Sequence, residues 1–262
     1  MPDVGARWLA WAAGLIAALG LIGWVLRRSA PALSVIGMHP MVPMTAVTIA
    51  LCSVAIITGS TGRPSTLLLF KTLAGLAVLI SLTSIVHDAI GIIGGTAGFD
   101  ATIVDEVAPG TSGWLAPNTA IGLALIGFGL LLEPRDAVGF PARRRLISAF
   151  GVTAMLIAVI TLVGYIYGVD PLRGLPGHLS MGVNTALAIV ALAIAVLLRP
   201  RGGGLGELVQ GRDAGAVLAR IALPATFVLP LALGALKVVS DRVGWFGPTM
   251  GTVVRTVAEM VM

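Results

Sequence analysis

Charge is what this chain has least of. Of its 262 residues 11% are Asp, Glu, Lys or Arg and 57% are hydrophobic, and a soluble domain of that length could not hide so much apolar surface. Cysteine is nearly absent: Cys52 stands alone inside an apolar run, which excludes an internal disulfide and leaves packing as its role. Aromatics make up 5%, too few rings to enclose a polyene, so Lys237 does not read as a Schiff-base lysine; near the end of its run it can snorkel to the headgroups. Motifs of the HExxH, CxxC and CxxCH types are missing, and neither GIIGGTAG (91–98) nor RGGGLGEL (201–208) has the pattern of a phosphate loop. With no nucleophile–base pair and no paired catalytic carboxylates, an enzyme is not expected.

Long apolar runs are what the chain does have. Trp8–Val25, Met41–Thr58, Ser65–Ile93, Leu115–Leu132, Leu146–Val169, Met181–Leu198 and Ile221–Val239 approach or exceed the roughly 20 residues that cross a bilayer. An eighth segment starts near Gly247 and stops at Met262. The expected fold is an all-α polytopic membrane bundle of seven full transmembrane helices plus this terminal segment. Arg27 and Arg28, rather than a small-residue cleavage site, follow the first run, so it reads as a retained helix. Between the runs, 11 Lys and Arg fall on one alternating side and 5 on the other, which predicts a cytoplasmic N-terminus. Trp24, Trp114 and Trp245 then lie at the outer interface, Trp8 and Trp11 at the inner one. The pI near 10.3 reports loops that contact anionic lipid, the expected partner surface, and not nucleic acid.

Three segments align on their threonines: MVPMTAVTIALCSVAI from Met41, LAPNTAIGLALIGFGL from Leu115 and MGVNTALAIVALAIAV from Met181. Each starts at the outer face, runs inward, and is followed by an outward helix. The predicted organisation is a single domain, 1–262: a leading helix (8–25), three parallel hairpin repeats (38–93, 113–169, 179–239) and the terminal segment (247–262). Proline at the first helical position, with Thr and Asn beside it, suits a well-started helix, and small residues such as Gly122, Ala124, Gly127, Ala188, Ala191 and Ala195 permit close packing. A second reading puts Asn118 and Asn184 inside the bundle, where converging helix N-termini suit an anionic or carbonyl-bearing ligand.

M-x-P-x-T-A before a Leu/Ala-rich helix, LAPNTAIGLALIGFGLLLEPR, LVGYIYGVDPLRGLPG, MGVNTALAIVALAIAVLLRPRGG and LPATFVLPLALGALKVVSDRVG together resemble the N-terminal integral-membrane input region of bacterial PAS-containing sensor histidine kinases and diguanylate cyclases. The likeness runs over roughly Met38 to Gly251. It implies a multi-helix sensory module of the bacterial inner membrane, multi-pass, that relays to cytoplasmic signalling domains or partner subunits. No PAS, kinase or cyclase sequence follows, and Arg255 and Glu259 are unusual for an isolated span. The chain is therefore expected to be either a truncated input module or a stand-alone subunit.

The remaining polar residues cluster toward the outer side. Ser81, Ser84 and Asp88 share a helical face with His87 at its edge; His39 and His178 precede later spans, Tyr165 and Tyr167 end the fifth, and Lys237 stands one turn before Asp241. His39 and His87 could serve as axial ligands of haem or another tetrapyrrole, or with Asp88 as a metal site; the plainer reading is interfacial histidines bonded to neighbours or water. Asp100, Asp105 and Glu106 read as a solvated loop. The expected binding residues are His39, His87, Asp88, Asn118, Asn184 and Lys237, serving a sensor for a small ligand, lipid, quinone or cofactor. The alternatives are a scaffold or pigment-holding subunit of an electron-transfer or photosynthetic complex and, third, a transporter.

Overall fold

The computed structural model describes residues 2–27, 41–59, 64–94, 114–133, 141–174 and 180–199. Their regular structure is helical: α1 (Pro2–Arg27), α2 (Pro43–Gly59), α3 (Pro64–Gly94), α4 (Pro117–Leu132), α5 (Pro141–Tyr167) and α6 (Val183–Leu198), with a short 3-10 turn at Asp170–Leu172. The six helices fall on the first six apolar runs of the sequence. The run 221–239 and the segment 247–262 lie outside the described residues.

Length separates the helices into two kinds. α1, α3 and α5 have 26, 31 and 27 residues, and each holds a stretch long and apolar enough to cross a membrane: Val4–Trp24, Thr66–Ile90 and Ala142–Tyr167. These mark the chain as a membrane protein. α2, α4 and α6 have 17, 16 and 16 residues and rise only about 24–26 Å at 1.5 Å per residue, short of a hydrocarbon layer of roughly 30 Å.

The short helices are central and the long ones peripheral. α1 packs on α2 and α6, α3 on α2 and α4, and α5 on α4 and α6, while α2, α4 and α6 also touch one another. Lys71 near the start of α3 meets the last carbonyls of α4, and Ser84 further along meets Leu115 before α4; those two helices are antiparallel. Tyr165 late in α5 bonds the Met181 carbonyl before α6. At α1, Gly5 faces Leu198 and Gly20 faces Met41. The three central helices are therefore parallel to each other, each antiparallel to its peripheral neighbours. The α5 end is closed by Gly168 at φ +69°, a left-handed position glycine adopts without strain, with the Val169 N–H on the Gly164 carbonyl at 2.9 Å.

Helices apolar all round carry no sequence stripe to say which face goes inward; small residues decide it. Ala6, Ala10, Ala13 and Ala17 of α1 are all fully buried, as are Ala154 and Ala158 of α5, and large side chains such as Leu15, Leu19, Leu68, Leu79 and Ile160 face outward. Lipid is as apolar as leucine, so close van der Waals packing at such seams holds membrane helices together. On the central helices the outward face carries Met44 and Val47, Ile121, and Asn184 and Leu187. Half a helical turn away, the axis-facing positions stack in layers from buried residues: Thr45, Thr119 and Thr185; Ile49, Leu123 and Ile189; Cys52, Ile126 and Leu192; Ile56, Leu130 and Val196. Three apolar layers thus seal the middle of the bundle.

The α3–α4 seam yields a stability prediction. A Cβ at Gly127 would stand 2.6 Å from Val78 Cγ2, whereas one at Gly75 would meet nothing within 4 Å. Gly127→Ala is expected to cost about 1–3 kcal/mol and Gly75→Ala to be neutral or stabilising by up to about 1 kcal/mol, both read from denaturant unfolding of the detergent-solubilised protein.

Candidate functional site

Polar chemistry is concentrated at the two ends of the central helices. At the first end, α2, α4 and α6 stop together, each leaving carbonyls with no intrahelical donor. Lys71 of α3 turns its ammonium onto α4 and donates to the carbonyls of Leu130, Leu131 and Glu133 at 3.0, 2.7 and 2.9 Å. Arg199, the C-cap of α6, donates from Nη1 to the Ile56 carbonyl of α2 at 2.8 Å and from Nε to Glu133 Oε1 at 3.0 Å. Glu133 Oε2 stands 2.9 Å from the same Nε, close enough for charge attraction without a directed bond of its own. The pair is buried, Arg199 3% and Glu133 6% exposed. Phe70 floors it, its ring centroid 5.4 Å from the guanidinium and 5.0 Å from Lys71 Nζ. Gly59 completes the cluster: a Cβ there would lie 2.7 Å from the Phe70 ring and 2.8 Å from Arg199 Nη2. Gly59, Glu133 and Arg199 each stand at the same distance from the threonine layer of their own helix, so one level carries a space, an anion and a cation.

The other end holds the residues that the sequence singled out. Ser84 is fully buried; its hydroxyl donates to the Leu115 carbonyl at 3.2 Å and accepts from the Leu115 N–H at 3.1 Å, pinning the start of α4 to α3. One turn further, His87 stacks on Trp114 with ring centroids 5.0 Å apart and planes 18° from parallel. His87 Nδ1 and Trp114 Nε1 are both buried, and neither has a hydrogen-bond partner among the described residues. Asp88 follows His87, so the shared face of Ser81, Ser84 and Asp88 is present. On the α5 side, Tyr165 donates to the Met181 carbonyl at 3.0 Å and lies under Arg173, whose guanidinium carbon is 4.6 Å from the ring centroid.

Of the six expected binding residues, His87 and Asp88 belong to this cluster. Asn118 is half-buried in the first turn of α4, while Asn184 is exposed on the outward face of α6; in both triplets it is the following threonine that is buried. His39 and Lys237 lie outside the described residues. Among the described residues no group of three or more His, Cys, Asp or Glu could hold a metal. The sequence presents Trp114 only as an interfacial anchor and Lys71 and Arg199 only as positive charge. Glu133 was the available signal: a lone acid at the end of an apolar run, level with a basic residue in the related segment. Comparison with protein-family models, curated proteins and solved structures finds no match for the chain.

The buried pair generates a test. Glu133→Ala or Arg199→Ala strands the partner's charge in a dry site and is expected to lower unfolding stability by about 3–5 kcal/mol. The paired replacement Glu133→Leu/Arg199→Met should recover most of that loss, which a double-mutant cycle in denaturant measures.

Proposed function

We propose that this protein is a sensory input module of the bacterial inner membrane, its N-terminus cytoplasmic and the Trp114 end toward the outer leaflet. On this reading it has seven spans, with three parallel hairpin repeats (38–93, 113–169, 179–239) behind the leading helix. The common burial register of α2, α4 and α6 supports the repeats. A small ligand, lipid or quinone binds at the Trp114 end, and the central helices carry the effect to signalling domains or partner subunits at the Arg199 end. The observation that carries this reading is the stacked His87–Trp114 pair, with two buried ring nitrogens that have no partner among the described residues. A buried donor left unsatisfied costs about 1–3 kcal/mol, and an oxygen-bearing ligand seated against the pair would recover it. Coupling needs only that the ligand's affinity differ between two arrangements of the helices. The sealed apolar layers of the axis argue against a central transport path, and the sequence's lack of a nucleophile–base pair and of paired catalytic carboxylates argues against an enzyme.

The test is an absorption spectrum and mass spectrometry of the protein purified in mild detergent, with His87→Ala and Trp114→Phe alongside. A stoichiometric lipid or quinone whose retention falls about tenfold in the variants is the expected result. A Soret band lost in His87→Ala would favour the pigment-holding subunit instead, and equal retention by all three proteins would sink the site.

A further inference from the structure

The threonines of the central helices pose a problem that their positions resolve. Thr45, Thr119 and Thr185 are 3%, 1% and 3% exposed. The buried hydroxyls of Ser53, Ser81 and Thr161 return to their own helices, at Ile49, Ala77 and Ile157, and Ser84 bonds Leu115. The three axis-facing threonines make no hydrogen bond among the described residues, and two of the carbonyls one turn back are already taken, Leu115 by Ser84 and Met181 by Tyr165. Their backbone is equally unspent. The first intrahelical bonds run from Ala46, Ala120 and Ala186 to Val42, Ala116 and Gly182, so each threonine N–H comes just before the first bonded one. The N-caps Ala116 and Gly182 supply no side-chain cap.

Charge and depth point the same way. Three parallel helices present their N-termini at this level, each equivalent to roughly half a positive charge, and none has an acidic residue in its first turn. The opposite ends are neutralised by Lys71 and Arg199 as described. Two peripheral helices run past this level: α3 continues from Ser84 to Gly94 and α1 from Gly20 to Arg27, about 15 Å and 10 Å further at 1.5 Å per residue. Their negative C-termini are therefore removed from the ring of donors, which is recessed among them. Below it the fully buried Ile49, Leu123 and Ile189 close the floor.

We propose that Thr45, Thr119 and Thr185, with the open N-termini of α2, α4 and α6, form a recessed site for a compact oxyanion, a phosphate or carboxylate group. Three hydroxyls and the adjacent N–H groups converge on one anion, as at other helix-start anion sites, and the low dielectric of the bundle strengthens each contact. The inference rests on the reading of the Trp114 end as the ligand-binding end, and it names the chemistry bound there: His87 and Trp114 flank the body of the ligand while the threonine ring holds its anionic group.

The test uses the full chain in nanodiscs, with thermal unfolding as the readout. Inorganic phosphate is titrated in zwitterionic discs, and discs containing phosphatidylglycerol are compared with zwitterionic ones in the absence of phosphate. The variants are Thr119→Val and the triple Thr45→Val/Thr119→Val/Thr185→Val, in which an isosteric methyl replaces each hydroxyl. A saturable rise in midpoint on the order of 5–10 °C at roughly a hundredfold excess over Kd, weakened in the single variant and lost in the triple, is expected. A phosphate response assigns a free anion, and a phosphatidylglycerol response assigns a lipid headgroup. No response in either arm, or a response kept by the triple variant, overturns the ring. Retention of a ligand sensitive to His87→Ala and Trp114→Phe alongside an unresponsive ring would overturn this inference alone; loss of both would overturn the sensor reading as well.

Discussion

Three helix ends meet around the guanidinium of Arg199, and the rest of the bundle depends on that meeting being tolerable. A membrane interior supplies no water to the last carbonyls of a helix, so they must find protein donors. Short central helices make the demand acute, because they are shorter than a hydrocarbon layer is thick. Lys71 reaches over from α3 to cap α4, and Arg199 reaches from α6 to α2 while Glu133 holds it in place. Had all three central helices carried the same residue at this level, like charges or bulk would collide; a glycine, a glutamate and an arginine fit.

From that anchor the architecture is a matter of packing layers. Each long helix lies in the groove between two short ones, seated by alanines and glycines, and the short helices close on one another through three apolar layers. Such a core transmits displacement along its length, since close-packed side chains deform little. The two ends are polar in opposite senses. At one, Lys71 and Arg199 donate to the last carbonyls of α4 and α2 while Glu133 Oε2 is left without a hydrogen bond; at the other, the buried ring nitrogens of His87 and Trp114 have no partner among the described residues.

Much of this was legible beforehand. The six described helices fall on the first six apolar runs because the need to bury twenty-odd apolar residues is a local property of composition. The common face of Ser81, Ser84 and Asp88 was legible because helical spacing is fixed. The repeated Asn-Thr-Ala is plain in the sequence, but which of its polar residues faces the axis is not: one position along a helix turns a side chain by about 100°, and that step sends Asn184 outward and Thr185 to the axis.

Composition and period alone determined that the chain spans a membrane and where its described helices lie. Tertiary structure decided which helices are central, which face of each is buried, and which residues distant in sequence are partners. Glu133 meets Arg199 across 66 positions, and His87 in α3 meets Trp114 ahead of α4. The physical reason is that helices apolar on every side look alike in one dimension; only the fit of small residues against large ones in three dimensions distinguishes them.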